Sequence, residues 1–575
     1  MKLVTCLLSL SLCATNAQSV YAQRERNPPQ PTRSSRALIK PKPAKAVTPR
    51  RKPTARGERS LSRRIVLRDL AEALSIVESN YPGHIPKGRA IPAAIDGALA
   101  SLDPHSSYFD ADQFRELLDE EEGVYSGIGA TIASFRRHGS LDTYVLSTIP
   151  GSPADRAGLK FGDRIISVNS RSVEGLTSVD VRDTIRGSDG AQVRISVETA
   201  AHGVERTIDV GRATVSQPTV SNYFMLRPGI GYIEISDGFN QNTANEFDLA
   251  LAALKKLGLS ALLVDLRGNP GGILESSIRI AEKFLPAGTL ILSQRGRHPA
   301  DNQVWRSANK APETMPLVLI VDAGSASAAE VVAGALQDND RALIVGKRTF
   351  GKGLVQSVFD LPRSTGMTLT TGRYYTPSGR SIQRDYSKAG LYDYYKNDAS
   401  SEVSSDSQPS RTVTQRPVYS GNGISPDEFV KPASMSDEQA DLLDPIFFFV
   451  RDSLRQQEAG TQLSLLTAAP LSKERAMLFS QFQLYVQEHF PELEVTALRR
   501  NEEFVLHRLR HDAIMALQGP HAAARHLAEH DTVLSQAIAA IPRARSLALL
   551  ARELRTTRPP YPKSGRVKAQ KKPAD

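Results

Sequence analysis

Between residues 230 and 349 the chain alternates short, almost wholly apolar runs with stretches of helical period. The runs are IGYIEI, ALLVDLRGNPGG, PLVLIVDAG and RALIVGKRT, and the intervening stretches include NEFDLALAALKKLG and SSIRIAEKFL. An apolar run without polar alternation marks a strand covered on both faces. Apolar strands alternating with helix-length segments argue for layered α/β structure. The expected result is an α/β layer, and the other segments have to be organised around it.

A chain of 575 residues is too long for one core, so boundaries have to be found before motifs are interpreted. Residues 1–22 carry one lysine, an apolar run from Leu3 to Leu12, and small residues before the end. They read as a secretory signal peptide cleaved after Ala22, with Ala17 as the second choice, and the run is too short to span a bilayer. The expected location is therefore the periplasm, within the cell envelope. Both cysteines, Cys6 and Cys13, lie in this leader, and Leu12 is bulkier than the residue a lipid-modified cysteine follows. The rest of the chain has no disulfide and no cysteine metal site.

The net charge of +10 is unevenly placed. Residues 23–64 carry +12, residues 555–575 carry +6 and Lys2 adds +1, leaving −9 on residues 65–554. The basic character thus belongs to the tails. For an exported chain it suits a solvated tether or attraction to an anionic envelope surface, and nucleic acid is not an expected partner.

Composition divides the remainder. Residues 23–63 are a Pro/Arg-rich segment expected to be a disordered linker, and residues 64–122 hold about three helices. Residues 123–203 hold five or six short strands broken by Gly, Asp, Asn and Ser, with two helices, as in a small, partly open barrel. Residues 204–432 are the α/β core, with a polar, mobile insertion expected at about 385–420. A helical region follows over 433–554, opened by a capping box at Ser436 and Gln439, and a disordered basic tail over 555–575.

The stretch VDAGSASAAEVVAG places Ser325 and Ser327 where a buried strand gives way to an alanine-rich helix. A serine there is either a helix cap or a nucleophile beside free N–H groups that favour developing negative charge. A nucleophile needs a base, yet His298 is the single histidine between Gly229 and Gln383. The remaining candidates are Lys347 and Lys352 in GKRTFGKGLVQ. To serve, a lysine must fall from about 10.4 to about 7–8, which burial can supply at a cost of about 4 kcal/mol.

Two resemblances sharpen these readings. GIGA (Gly127, Ile128, Gly129, Ala130) and PGSPADRAGLKFGDRIISVN resemble a PDZ domain, which implies a backbone cradle for a peptide's terminal carboxylate and an edge that accepts the peptide as a strand. GSASAAE, then GKRTFGKG with Lys352 25 residues after Ser327, then Gln356, resemble the carboxy-terminal processing (tail-specific) serine peptidases. AIDGALASLDPHSSYF, DLRGNPGG, YYTPSGRSIQ and GISPD extend that resemblance over roughly residues 64–430. Ala329 departs from the second small polar residue many members carry.

The resemblance implies a crotonase-like (Clp-protease-like) α/β core with Ser327 as nucleophile, Lys352 as general base and Gln356 orienting it. It places the oxyanion hole at the N–H groups of Ala328 and of Gly271 or Gly272, leaving Ser325 as a turn residue. Arg186, in TIRGSDG at the end of a PDZ helix, is a candidate regulatory residue. Asp103 and His105 in LDPHSSY are expected to build a turn rather than a metal or acid–base site. No metal or organic cofactor is implied. The expected partners are the C-terminal tails of protein substrates, further copies of the chain, and an activating adaptor protein. The rival readings are an inactive PDZ scaffold of the envelope and an acyl-CoA enzyme on the same core fold. Retention of Ser327, Lys352 and Gln356 together weighs against the first, and the leader and PDZ segment against the second.

Overall fold

The computed structural model describes residues 63–83, 87–386, 409–455, 467 and 475–557. The expected leader and linker, most of the polar insertion and the tail beyond Thr557 lie outside the described residues.

The apolar runs build one six-stranded sheet in chain order: Val220–Arg227, Ile230–Ile235, Ala261–Asp265, Leu317–Val321, Leu343–Gly346 and Glu428–Phe429. The first pair is antiparallel and every later pair is parallel. Both faces are covered, as the lack of polar alternation requires. Ile233, Ile235, Leu262, Val264, Leu317 and Leu319 pack under the helices Thr243–Lys256, Leu274–Phe284 and Ala328–Asp338. Tyr232, Leu263, Val318, Ile320 and Val345 point the other way. They meet Val533, Leu534, Ala537, Ala540 and Ala544 of the long helix Thr532–Thr557. Each buried Leu, Ile or Val of this kind contributes about 1.5–3 kcal/mol. The end of the helical region is therefore a layer of the core.

A second sheet joins Leu290–Gly296, Gln303–Arg306, Leu354–Leu361 and Thr365–Tyr375 with the short strand Ser107–Phe109. The expected three N-terminal helices are present as Arg63–Asn80, Lys87–Ala100 and Ala111–Glu122. That segment also lends its strand to Thr365–Tyr375, pairing Ser107 with Thr368.

The smaller barrel leaves and rejoins the core through a two-stranded stem, Val124–Gly127 against Ala213–Ser216. Its sheet runs Ala130–Arg137, Ser140–Thr148, Arg164–Val168, Gln192–Glu198 and Glu205–Gly211, with Arg171–Ser172 beside the third strand. The helices are Pro153–Arg156 and Ser178–Ile185. The boundary expected at 203 is thus too early. Glu205–Gly211 pairs residue for residue with Gln192–Glu198, and its outward face is polar, which hid it in the sequence.

Two further differences concern the C-terminal half. Residues 409–420, expected to be part of a mobile insertion, form the ribbon Ser410–Arg411 with Pro417–Val418, and Arg416 pairs with Asp340 and Asp427. The helix Leu443–Ser453, for which the sequence indicated no packing partner, packs onto the barrel. Phe447 stacks on Phe135 at 3.6 Å, and Phe135, Tyr144, Phe161, Phe447, Phe448 and Phe482 share one core. Arg451 seals its rim, donating to Gly162 O at 2.7 Å and pairing with Glu198 at 2.9 Å. The capping box at Ser436 and Gln439 is present as expected.

Candidate active site

The strand Leu317–Val321 ends in a turn that throws Ser325 and Ser327 to different tasks. Ser325 Oγ donates to Leu266 O at 2.7 Å and accepts Asp322 N–H at 2.9 Å, so its hydroxyl is committed to the turn. Ser327 stands at the N-cap of the helix Ala328–Asp338, with Glu330 three residues on accepting its backbone N–H at 2.8 Å. Its backbone has φ 52° and ψ −109°, a conformation costing a non-glycine residue about 1–3 kcal/mol. Ala326 N–H to Asn269 O (2.8 Å) and Phe350 N–H to Ser325 O (2.9 Å) hold the turn in that shape.

The clamp between the two halves of the site is Glu330, which the sequence reading passed over. It is fully buried, one helical turn beyond Ser327. Oε2 accepts both Ser327 N–H and Lys352 N–H at 2.8 Å, while Oε1 accepts Gly351 N–H at 2.8 Å and Thr349 Oγ at 2.5 Å. One carboxylate thus fixes the backbone of the serine and of the lysine loop together. Burial pushes Glu330 up to about 7 despite its hydrogen bonds. Gly423 of GISPD completes the clamp, since a Cβ there would lie 2.6 Å from Thr349 Oγ1 and 3.0 Å from Glu330 Oε1.

Lys352 and Gln356 are 4% and 1% exposed. Gln356 Nε2 donates to Thr370 Oγ1 at 3.0 Å, and its buried Oε1 has no hydrogen-bond partner among the described residues, leaving an acceptor open for a cation. The LDPHSSY turn buttresses this pair. Asp103 accepts the N–H groups of His105 and Ser106 and the Ser106 hydroxyl, and Ser106 Oγ accepts Thr370 N–H at 3.1 Å. Burial first, and then the Lys352 charge, push His105 down to about 2, so its ring is neutral at any working pH. Asp103 and His105 therefore have the turn-building role expected of them.

The NPGG turn closes the other side. Asn269, fully buried, donates to Ile235 O at 2.7 Å, and its Oδ1 accepts Gly271 N–H at 2.9 Å. Gly271 N–H is thereby engaged. Gly272 N–H and Ala328 N–H have no acceptor among the described residues, so both are available as donors. Only glycine fits at 272, where φ is 134° and a Cβ would lie 2.1 Å from Phe239 O. Upstream, Arg267 pairs with Asp265 at 2.6 Å and with Asp531 at 2.7 Å, tying this loop to the C-terminal helices.

In the barrel, Ile128 is buried in the core and the carbonyls of Ile128 and Gly129 accept Ala154 N–H and Ile149 N–H. Gly127 pairs with Ala213 in the stem, and Ala130 starts the edge strand, which has a neighbour on one side alone. Gly129 N–H meets the phenol oxygen of Tyr125, and the Arg186 guanidinium lies 5.4 Å over the Tyr125 ring. Arg186 thus sits against the stem.

Over residues 229–389 the chain matches peptidase family S41, and over residues 144–199 the PDZ domain family. It is 34% identical over 302 residues to the carboxy-terminal-processing protease of Bartonella bacilliformis, covering 51% of this chain and 67% of that protein. To the carboxy-terminal processing protease CtpA of Bacillus subtilis it is 32% identical over 332 residues, covering 57% and 70%. The solved photosystem II D1 C-terminal processing protease is 27% identical, covering 68% of this chain and 92% of that one, with a TM-score of 0.33.

Proposed function

Because the chain belongs to the carboxy-terminal-processing proteases, serine peptidases of family S41 with an embedded PDZ domain, we propose that Ser327 is its nucleophile and Lys352 its general base. Ser327 Oγ attacks the carbonyl carbon of a peptide bond while Lys352 Nζ takes its proton. The oxyanion forms against the N–H groups of Ala328 and Gly272, each such donor being worth about 3–4 kcal/mol of barrier. Lys352 returns the proton to the leaving amine, and water then hydrolyses the acyl-enzyme. Gln356 Oε1, the open acceptor, orients the lysine by taking a hydrogen bond from its ammonium group as the proton is held. The observation that carries this reading is Glu330, whose single Oε2 accepts the backbone N–H of both Ser327 and Lys352.

The finer features follow the same reading. The core is crotonase-like. The substrate is a protein whose apolar C-terminal tail adds to the edge strand Ala130–Arg137 and sets its carboxylate on Gly127, Ile128, Gly129 and Ala130, with cleavage upstream. Arg186 couples tail occupancy to the stem. The enzyme is exported to the periplasm, acts as a homo-oligomer that an adaptor protein can activate, and uses its basic tails on an anionic envelope surface. The comparison of wild type with Ser327→Ala and Lys352→Ala on a substrate with an apolar C-terminus tests the dyad. A loss of more than about a thousandfold in kcat is expected for each. Equal cleavage by all three proteins would sink the assignment.

A further inference from the structure

A second cluster of chemically competent side chains lies away from the dyad, in the C-terminal helices. His507 projects from the helix Glu502–Gln518, while His526 and His530 come from the end of the helix Pro520–Glu529, four residues apart and so on one face. One ring nitrogen from each can be chosen so that all three lie within 4.8 Å of one another. The ring centroids of His507 and His530 are 4.2 Å apart, and those of His526 and His530 4.7 Å.

Hydrogen bonding leaves these rings available. His530 Nδ1 is engaged with His526 O at 2.9 Å, which fixes its tautomer and presents Nε2 as a free lone pair. His526, 5% exposed, has a buried Nε2 with no hydrogen-bond partner among the described residues. A buried imidazole nitrogen left without a partner costs about 1–3 kcal/mol, so three rings converging around one is an arrangement that calls for a ligand. His507 Nε2 lies 3.9 Å from the exposed Glu503 Oε1, beyond hydrogen-bond distance. His530 is exposed, giving an ion a way in from solvent.

We propose that His507, His526 and His530 form a binding site for one divalent transition-metal ion of the zinc class. Three imidazoles with an open fourth position are a donor set such ions accept, whereas magnesium and calcium demand oxygen ligands. Nitrogens bound to one zinc stand about 3.3 Å apart, so closing the site from the present separations takes shifts of about 1 Å. Arg510 and Glu529 line the adjoining cavity of about 550 Å³, with Tyr223, His521 and His526. The nearby arginine disfavours loosely held cations and leaves binding to direct coordination by the imidazole nitrogens.

Such an ion would pin two helices whose neighbours reach the catalytic core. His521 on the second helix bonds Asn222 of the central sheet at 3.0 Å, and Asn222 bonds Glu234 at 2.7 Å. Next to His530 is Asp531, the partner of Arg267 in the oxyanion loop. The proposed role is structural, separate from the metal-free peptidase chemistry.

The test uses the full chain purified without a polyhistidine tag, stripped with a chelator and titrated separately with zinc, cobalt(II), magnesium and calcium chlorides. One equivalent of zinc or cobalt is expected to bind, with the visible d–d absorption of a four- or five-coordinate cobalt site and an upward shift of Tm. His530→Gln at its exposed position and His507→Gln are each expected to weaken binding by more than about tenfold, with the metal-free Tm little changed. The exposed His298→Gln serves as the control and keeps full binding. Failure of the stripped wild type to bind either ion, equal binding by the double variant His507→Gln/His530→Gln, or binding of magnesium in place of zinc would each overturn the site.

Discussion

Glu330→Gln separates a clamp from a filler, because the amide keeps the shape of the carboxylate and changes only what it can accept. The carboxylate takes four donors, two on each oxygen. An amide has one oxygen. If that oxygen faces Ser327 and Lys352, the NH2 group faces Gly351 N–H, which loses its acceptor, while the Thr349 hydroxyl can turn away. The opposite orientation strands two N–H groups and is worse. One stranded buried donor costs about 1–3 kcal/mol, which is about 5- to 150-fold in rate if it loosens the loop that carries Lys352. The loss should fall on kcat with KM unchanged, since Glu330 lies under the proposed dyad. A second readout is independent of activity. A carboxyl raised from its ordinary 4.5 to about 7 keeps its proton in the fold where the unfolded chain has lost it. Stability therefore falls as pH rises through that window, by about 3 kcal/mol in all, and levels off above it. Glu330→Gln lacks this slope, so its Tm should gain on the wild type between pH 4.5 and 7. Steady-state kinetics on an apolar-tailed peptide and thermal melts across pH measure both. A variant with kcat within twofold of the wild type, and a Tm that tracks it at every pH, would refute the clamp.

Two other perturbations probe the barrel. Tyr125→Phe removes the phenol oxygen that meets Gly129 N–H, so it should lower KM for apolar-tailed peptides while leaving a substrate with an amidated C-terminus unchanged; equal KM shifts for both would count against a carboxylate cradle. Phe447→Ala deletes a fully buried ring stacked on Phe135 and should cost about 3–5 kcal/mol, read as a lower Tm. Faster hydrogen exchange in Ala130–Thr148 should accompany it, and unchanged exchange there would show that the helix does not brace the barrel.

Local patterns in the sequence pointed to most of the residues of the candidate site. Strand, turn and alanine-rich helix were adjacent in VDAGSASAAEVVAG, and the scarcity of histidine in the core directed attention to Lys352. Glu330 escaped because three residues past a serine it reads as an ordinary capping residue, and three of its four donors lie 19–22 residues further on. Asn269 escaped for a related reason: within NPGG it looks like a turn former, and its contacts to Ala326 and Ile235 are distant in sequence. The helix Thr532–Thr557 gave no sign that it covers the sheet, because its inward face is largely alanine and its pattern is interrupted by Pro542. The spacing of His526 and His530 was visible, but His507 joins them only when the two helices pack.

The stem that carries the barrel has a consequence for how such enzymes diversify. The chain leaves at Val124 and returns at Ser216 as paired neighbours, so the core meets the same two chain ends whatever is spliced between them. Lengthening or replacing the inserted module changes the closure entropy only logarithmically, and the fixed stem hides even that from the core. Recognition modules can in principle be shuffled through this site without redesigning the catalytic half. The restriction lies elsewhere: a transplanted module must carry aromatic rings equivalent to Phe135 and Tyr144, or the helix bearing Phe447 and Phe448 loses its seat. The barrel and the helix that fits its back are therefore one packing unit, and neither can be exchanged without the other.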